Sequence, residues 1–185
     1  MKEKILVVDD EKIILKTLDK LLSKEGYQVT VTDNSYAALA KIKKEFFDLI
    51  ILDVRMPHMN GISLLQNIRR IQEGKERSMV IIITGYASED VPVKAIELGV
   101  DGYIMKPFEM DEFLYTVNRA IEVCRLRKER EKYLKELERK NKELEESREK
   151  YRNLVTSLSR VVWAKTKNRD LEKEIREILS RYEKK

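Results

Sequence analysis

Cysteine, histidine and tryptophan each occur once in these 185 residues, proline three times and glycine six times. The lone cysteine, Cys124, excludes an internal disulfide and a cysteine zinc cluster. The lone histidine, His58, excludes a cluster of histidine-ligated metal. No run of about 18 apolar residues exists, which argues against a transmembrane helix. The first residues, Met1-Lys2-Glu3-Lys4, lead straight into a strand-like run without a small-residue cleavage site. No signal peptide is therefore expected, and the cytoplasm is the expected location. After Glu109 neither glycine nor proline occurs again. That long stretch without a breaker reads as helix.

The net charge of +5 conceals two unlike halves. Met1 to Asn118 carries 16 Lys/Arg against 19 Asp/Glu, whereas Arg119 to Lys185 carries 22 against 14. A mildly acidic domain is thus followed by a basic, charge-dense extension. Basic charge suits nucleic acid or a membrane surface. Here the signs are interspersed along helical sequence, which more often marks a solvated helix face.

The first part alternates strand and helix. Lys4 to Val8 reads as a buried strand, and Leu15, Leu18 and Leu22 recur at helical spacing up to Gly26. Tyr27 to Val31 is a second strand and Ser35 to about Phe46 a second helix. Asp48-Leu49-Ile50-Ile51-Leu52-Asp53 is an apolar run bounded by charge, the pattern of a strand buried on both faces. A third helix carries Ile62, Leu65 and Ile68. Met79 to Ile83 forms a fourth strand, a helix spans roughly Ser88 to Leu98, and Gly102 to Met105 is a short fifth strand. Five such alternations predict an α/β fold with a parallel sheet covered on both faces.

The polar residues fall where the strands end. Asp9 and Asp10 follow the first strand, Asp53 closes the third, Thr84 the fourth, and Lys106 follows the fifth. Parallel strands bring those ends to one edge, where open α/β sheets place their ligands. Singly, each residue has an ordinary structural explanation: Asp9-Asp10 or Thr84 as helix caps, Lys106 as a surface lysine. Together they point to chemistry. Three converging carboxylates repel one another unless a hard cation neutralises them, and oxygen ligands suit Mg2+. A cation, an ammonium and a hydroxyl around one carboxylate are what phosphoryl transfer requires, with Asp53 as a nucleophile forming an acyl phosphate.

Val7-Val8-Asp9-Asp10-Glu11, Leu52-Asp53-Val54-Arg55-Met56-Pro57-His58-Met59-Asn60-Gly61, Ile83-Thr84-Gly85 and Tyr103-Ile104-Met105-Lys106-Pro107-Phe108 closely resemble the receiver domain of two-component response regulators. The resemblance covers roughly Met1 to Cys124. It implies a flavodoxin-like (βα)5 sheet of order 2-1-3-4-5 and phosphorylation of Asp53 by a partner histidine kinase. It further implies that Asp10, Asp53 and the backbone carbonyl of Arg55 bind Mg2+, with Asp9 assisting through water. Lys106 would pair with the phosphoryl group and Thr84 would hydrogen-bond it. Tyr103 falls at an aromatic switch position that turns inward as Thr84 moves. Lys106-Pro107 would be a cis bond. Arg55 and Tyr86, two residues beyond Asp53 and Thr84, are the variable neighbours of the site. The sole histidine lies in a breaker-rich loop, which argues against a kinase dimerisation domain on this chain. The expectation is a signalling protein, not an enzyme, limited to self-phosphorylation from a donor and autodephosphorylation.

Three segments are expected: a receiver domain over 1–124, a coiled-coil helix over 125–163 continuous with the last receiver helix, and a short amphipathic helix over 164–185. Val123, Leu126, Tyr133, Leu137, Leu144, Tyr151, Leu154 and Leu158 alternate in three- and four-residue steps, a coiled-coil seam interrupted at Arg130, Lys140 and Ser147. The alternative is a single solvated helix held by Glu-Lys pairs. Ser147 to Trp163 resembles the lead-in to a PAS sensor domain, although too few residues follow for a PAS core. After a polar break at Lys165 to Asn168, Leu171, Ile175, Ile178, Leu179 and Tyr182 mark the last helix. Neither terminal helix can bury its stripe alone, which predicts a homodimer through these helices; an effector protein docking there is the competing account. A DNA-binding regulator using the basic tail is the second function considered, but no helix-turn-helix, zinc or aromatic-platform pattern appears beyond Arg119.

Overall fold

The computed structural model describes residues 2–85, 90–166, 170, 171, 173–175 and 177. Strand and helix alternate through them: β1 (Lys4–Val8), α1 (Lys12–Lys24), β2 (Gln28–Thr32), α2 (Ser35–Lys44), β3 (Leu49–Asp53), α3 (Gly61–Ile71), β4 (Met79–Thr84), α4 (Asp90–Glu97), β5 (Gly102–Met105) and α5 (Met110–Thr166). All pairings are parallel, in the order β2-β1-β3-β4-β5. This is the flavodoxin-like sheet expected from the motifs. The order reverses between β1 and β3, the crevice where such sheets carry their sites.

Side chains alternate across each strand, so one apolar run feeds two cores. Ile5, Val7, Leu49, Ile51 and Ile81 meet Leu18 and Leu22 of α1 and Phe113, Val117 and Ile121 of α5. Leu6, Val8, Ile50, Leu52 and Ile82 meet Ala38 of α2, Leu64 and Ile68 of α3 and Ala95 of α4. The sheet is covered on both faces, which is why its strands read as continuous apolar runs.

Local chemistry sets the helix ends. The Asn34 side chain accepts from the Tyr36 and Ala37 N–H groups at 2.8 and 3.1 Å, satisfying donors that the first turn of α2 leaves open. That helix stops at Lys44, two residues short of the expected Phe46. Glu45 is already extended and Phe47 is buried, so the chain must leave the helix to bring the ring into the core. The expected start of α4 at Ser88, and Tyr86, lie outside the described residues. The C-terminal carbonyls of α4 are held from a distance: Arg69 donates to Leu98 and Gly99 at 3.3 and 2.7 Å, and Arg77 to the same two at 2.9 and 2.8 Å. Two guanidinium groups at the negative end of a helix oppose its dipole favourably.

The chain forms two compact units, Met1–Lys128 and Glu129–Lys185. The first unit extends past Cys124 because α5 is tied to the lower sheet edge: Arg125 pairs with Glu3 at 2.6 Å, and the Lys128 ammonium meets Asp48 and lies 5.1 Å from the Phe46 ring centre. The second unit carries the rest of α5, laced by Glu136–Lys140 and Arg139–Glu143 pairs at 3.0 and 2.9 Å. Lys165 and Thr166, expected in a polar break, are helical. Lys167 and Asn168, and the later residues Ile178, Leu179 and Tyr182, lie outside the described residues. Among the described residues no helix is long and apolar enough to cross a membrane.

Candidate functional site

Asp53 is the last residue of β3 and is 5% exposed. The backbone beyond it is pinned on two sides: the Val54 N–H donates to Ile83 of β4 at 3.3 Å, and Gly61 N–H returns to the Val54 carbonyl at 2.8 Å. The intervening loop is closed by the Asn60 side chain, which caps α3 by accepting from Ser63 N–H at 2.8 Å. Ser35 at the start of α2 donates to the Met59 carbonyl at 2.7 Å. His58 sits in the left-handed region with φ 69°, a conformation uncommon for a side chain with a Cβ.

The carboxylates converge as the strand ends require. One oxygen each of Asp9, Asp10 and Asp53 lie within 4.8 Å of one another. Asp9 is buried and Asp10 exposed. Asp9 is fixed from both oxygens: one accepts from the Glu11 N–H at 2.8 Å, the other from the Lys106 ammonium at 2.9 Å. Lys106 also reaches Asp53 at 3.6 Å and Glu11 at 3.2 Å. It therefore bridges the ends of β1 and β3 from beyond β5. Its N–H donates to the Thr84 carbonyl at 2.8 Å, which fixes it beside the end of β4, and the Lys106-Pro107 bond is cis, as the resemblance implied.

Electrostatics mark Asp53 out. Burial pushes its carboxyl up to about 6; Lys106 opposes the rise, and the charges of Asp9 and Asp10 add to it. Lys106 moves the other way from a buried amine. Burial disfavours its charge, but the carboxylates of Asp9, Asp53 and Glu11 outweigh that and hold it above the ordinary lysine range. Three carboxylates against one ammonium leave excess negative charge and open oxygen donors, a donor set that fits a hard divalent cation.

Thr84 closes β4 and is fully buried. Tyr103, on β5 beside Ile82, is half-buried with its hydroxyl enclosed and without a hydrogen-bond partner among the described residues. Burial raises the pKa of that phenol. The Arg55 guanidinium lies close to Gly85, within 4.0 Å of where a Cβ would stand there. Glu11 ends the first motif, directly after Asp9-Asp10. Its contact with Lys106 makes it part of the cluster, and that place in the sequence was the signal available.

Gly61 is the strictest positional requirement of the loop. A Cβ there would stand 2.2 Å from the Asp53 carbonyl oxygen and 2.9 Å from Val54 Cα. Both are backbone atoms and cannot swing aside. Gly61→Ala is expected to lower stability by about 1–3 kcal/mol, the usual cost of overpacking, and to displace Asp53. Urea unfolding checks it; an unchanged midpoint would contradict the geometry.

Known proteins resemble this chain over its first unit. Residues 5–118 match the family model described as response regulator receiver domain. The chain is 39% identical over 121 residues to sporulation initiation phosphotransferase F of Bacillus subtilis, covering 65% of this chain and 95% of that protein. It is 36% identical over 122 residues to transcriptional regulatory protein ZraR of Klebsiella oxytoca, covering 66% of this chain but only 27% of that protein. Regulatory protein AtoC of Escherichia coli matches over 126 residues at 32%, again 27% of its length. Among solved structures, a CheY-like receiver domain protein from Methanospirillum hungatei superposes with a TM-score of 0.65 at 33% identity, covering 69% of this chain and 99% of that one.

Proposed function

We propose, since the chain belongs to the response regulator receiver domain family, that Asp53 accepts a phosphoryl group from a histidine kinase and that the helical extension relays the change. One Asp53 carboxylate oxygen attacks the phosphorus of a phosphohistidine. The phosphorus–nitrogen bond breaks, the imidazole leaves, and an acyl phosphate remains on Asp53.

The observation that carries this reading is the convergence of Asp9, Asp10, Asp53 and Lys106 at one sheet edge. Asp10, Asp53 and the Arg55 carbonyl would hold Mg2+, with Asp9 acting through water. When bound, Mg2+ supplies neutralisation of the charge on the transferring phosphoryl oxygens. Lys106, already drawn to 3.6 Å from Asp53, moves its charge from that carboxylate to the phosphoryl oxygens once the acyl phosphate forms. Thr84 donates its hydroxyl to the same group, and Tyr103 follows the space that Thr84 vacates. The reaction stays on this chain: it takes up a phosphoryl group and later loses it to water, and no external substrate is turned over. Output passes through α5, by dimerisation of the C-terminal helices or by contact with an effector protein.

The full chain incubated with acetyl phosphate and Mg2+ is expected to take up one phosphoryl group, read as intact mass, and excess chelator is expected to remove that uptake. Equal uptake with and without the metal would overturn the assignment.

A further inference from the structure

The second unit presents an apolar stripe with no cover among the described residues: Tyr151, Leu154, Leu158 and Val161 are 67, 55, 54 and 53% exposed. Val155 and Val162, one position round the helix, are half-buried. The stripe continues toward the N-terminus through Leu144, Leu137 and Tyr133, about four heptads in all, enough for a sustained seam. Resting on the reading that the extension dimerises, we infer that this stripe is the seam of a parallel, in-register two-stranded coiled coil with a second copy of this chain.

The polar positions decide the orientation. Put Leu137, Leu144, Tyr151 and Leu158 at the first core position of each heptad, and Tyr133, Lys140, Ser147, Leu154 and Val161 at the second. A parallel pair in register sets each residue against its own copy, so apolar layers meet apolar layers and Lys140 meets Lys140. An antiparallel pair overlapping over residues 130–161 sets Arg130 against Val161, Lys140 against Tyr151 and Ser147 against Leu144, each twice by symmetry, so six layers mix polar with apolar; the parallel pair confines the polar residues to three layers, with Arg130, Lys140 and Ser147 each against its own copy.

The charge beside the seam agrees. In the parallel arrangement Glu143 faces Arg148 of the second copy, an attractive pair. The other flanking positions of this unit, Glu129 with Leu134, Glu136 with Asn141, Lys150 with Val155 and Ser157 with Val162, bring no like charges together. The facing lysines are also provided for within each chain. Lys140 already pairs with Glu136 of its own helix at 3.0 Å, which draws the ammonium off the seam and neutralises it. A lysine at one core layer costs stability and specifies register, because shifting the helices by a heptad would set Lys140 against Tyr133 and Ser147 against Leu154, spoiling apolar layers.

Cysteine placement reads the orientation directly. Cys124→Ala removes the natural thiol and gives a parent that must show no cross-linking. Leu137→Cys and Leu158→Cys are then made singly in the full chain, each replacing one seam residue that is exposed on the single chain. With a short bis-maleimide, each variant is expected to cross-link to its own copy in most chains. In the antiparallel overlap Leu158 would face Tyr133, 25 residues and about 38 Å along the helix at 1.5 Å per residue, out of the linker's reach. Cross-linking of Leu137→Cys to a Leu154→Cys chain, without self-linking, would establish the antiparallel form and overturn the inference. A sedimenting dimer with no cross-link in either variant would place the contact on another face and also overturn it. A monomer at tens of micromolar that still takes up phosphoryl would reject dimerisation itself while leaving the Asp53 reading intact.

Discussion

Asp53→Asn is expected to take up no phosphoryl group from acetyl phosphate or from a phosphorylated kinase, while remaining folded. The two side chains have nearly the same shape, so the end of β3 and its contacts with β4 need not move. What changes is the nucleophile: an amide oxygen does not form an acyl phosphate. Stability separates this loss from unfolding. Burial and the neighbouring carboxylates push the Asp53 carboxyl up to about 6, so at neutral pH its ionised form is disfavoured in the folded chain compared with the unfolded one. Removing that charge relieves the repulsion. In metal-free buffer the urea midpoint of Asp53→Asn is expected to equal or exceed that of the parent. A lower midpoint would mean that the carboxylate is a structural support.

The second large effect is a split between metal and phosphoryl functions. Asp10 is exposed and touches the cluster only through its carboxylate, whereas Lys106 spans Asp9, Glu11 and Asp53. Asp10→Ala removes one of the carboxylates proposed to hold the ion, which would keep few protein ligands. Its Mg2+ affinity should fall by at least the ~10–100-fold that loss of an outer-shell partner costs. Lys106→Ala removes a cation that competes for the same carboxylates, so its Mg2+ affinity should be unchanged or higher. The phosphorylated Lys106→Ala chain, however, should show no change in amide hydrogen exchange at β4 and β5, where the parent does. Calorimetric titration with Mg2+ decides the first half. Equal loss of affinity in both variants would merge the two roles.

Much of this molecule is legible because parallel sheets write their strands as uninterrupted apolar runs. Leu49 to Leu52 is buried throughout, and the charged residues on either side mark its ends. The site is legible for a related reason: its residues directly follow or close strands whose ends the topology collects. Contacts between residues distant in sequence leave no such local sign. Arg69 and Arg77 reach the end of α4 from 21 to 30 residues away, and nothing in their neighbourhood distinguishes them from surface arginines. Lys128 and Asp48, and Arg125 and Glu3, are separated still further. They hold α5 to the first unit beyond Cys124. The end of α2 was hidden by composition, since Lys44-Glu45-Phe46 suits a helix and only the demand of Phe47 for the core stops it. Glu11 belongs to the same class: its residue type was visible, but its contact with Lys106 depends on β5 lying on the far side of the sheet.

The phosphoryl acceptor can be identified chemically. Borohydride reduces an aspartyl phosphate to homoserine, so reduction of the phosphorylated full chain followed by peptide mass mapping marks the residue that carried the group. Homoserine at position 53, absent when Mg2+ is withheld, is the result expected from the convergence of Asp9, Asp10, Asp53 and Lys106. Homoserine at Asp9, Asp10 or any other carboxylate, with Asp53 recovered unchanged, would contradict it.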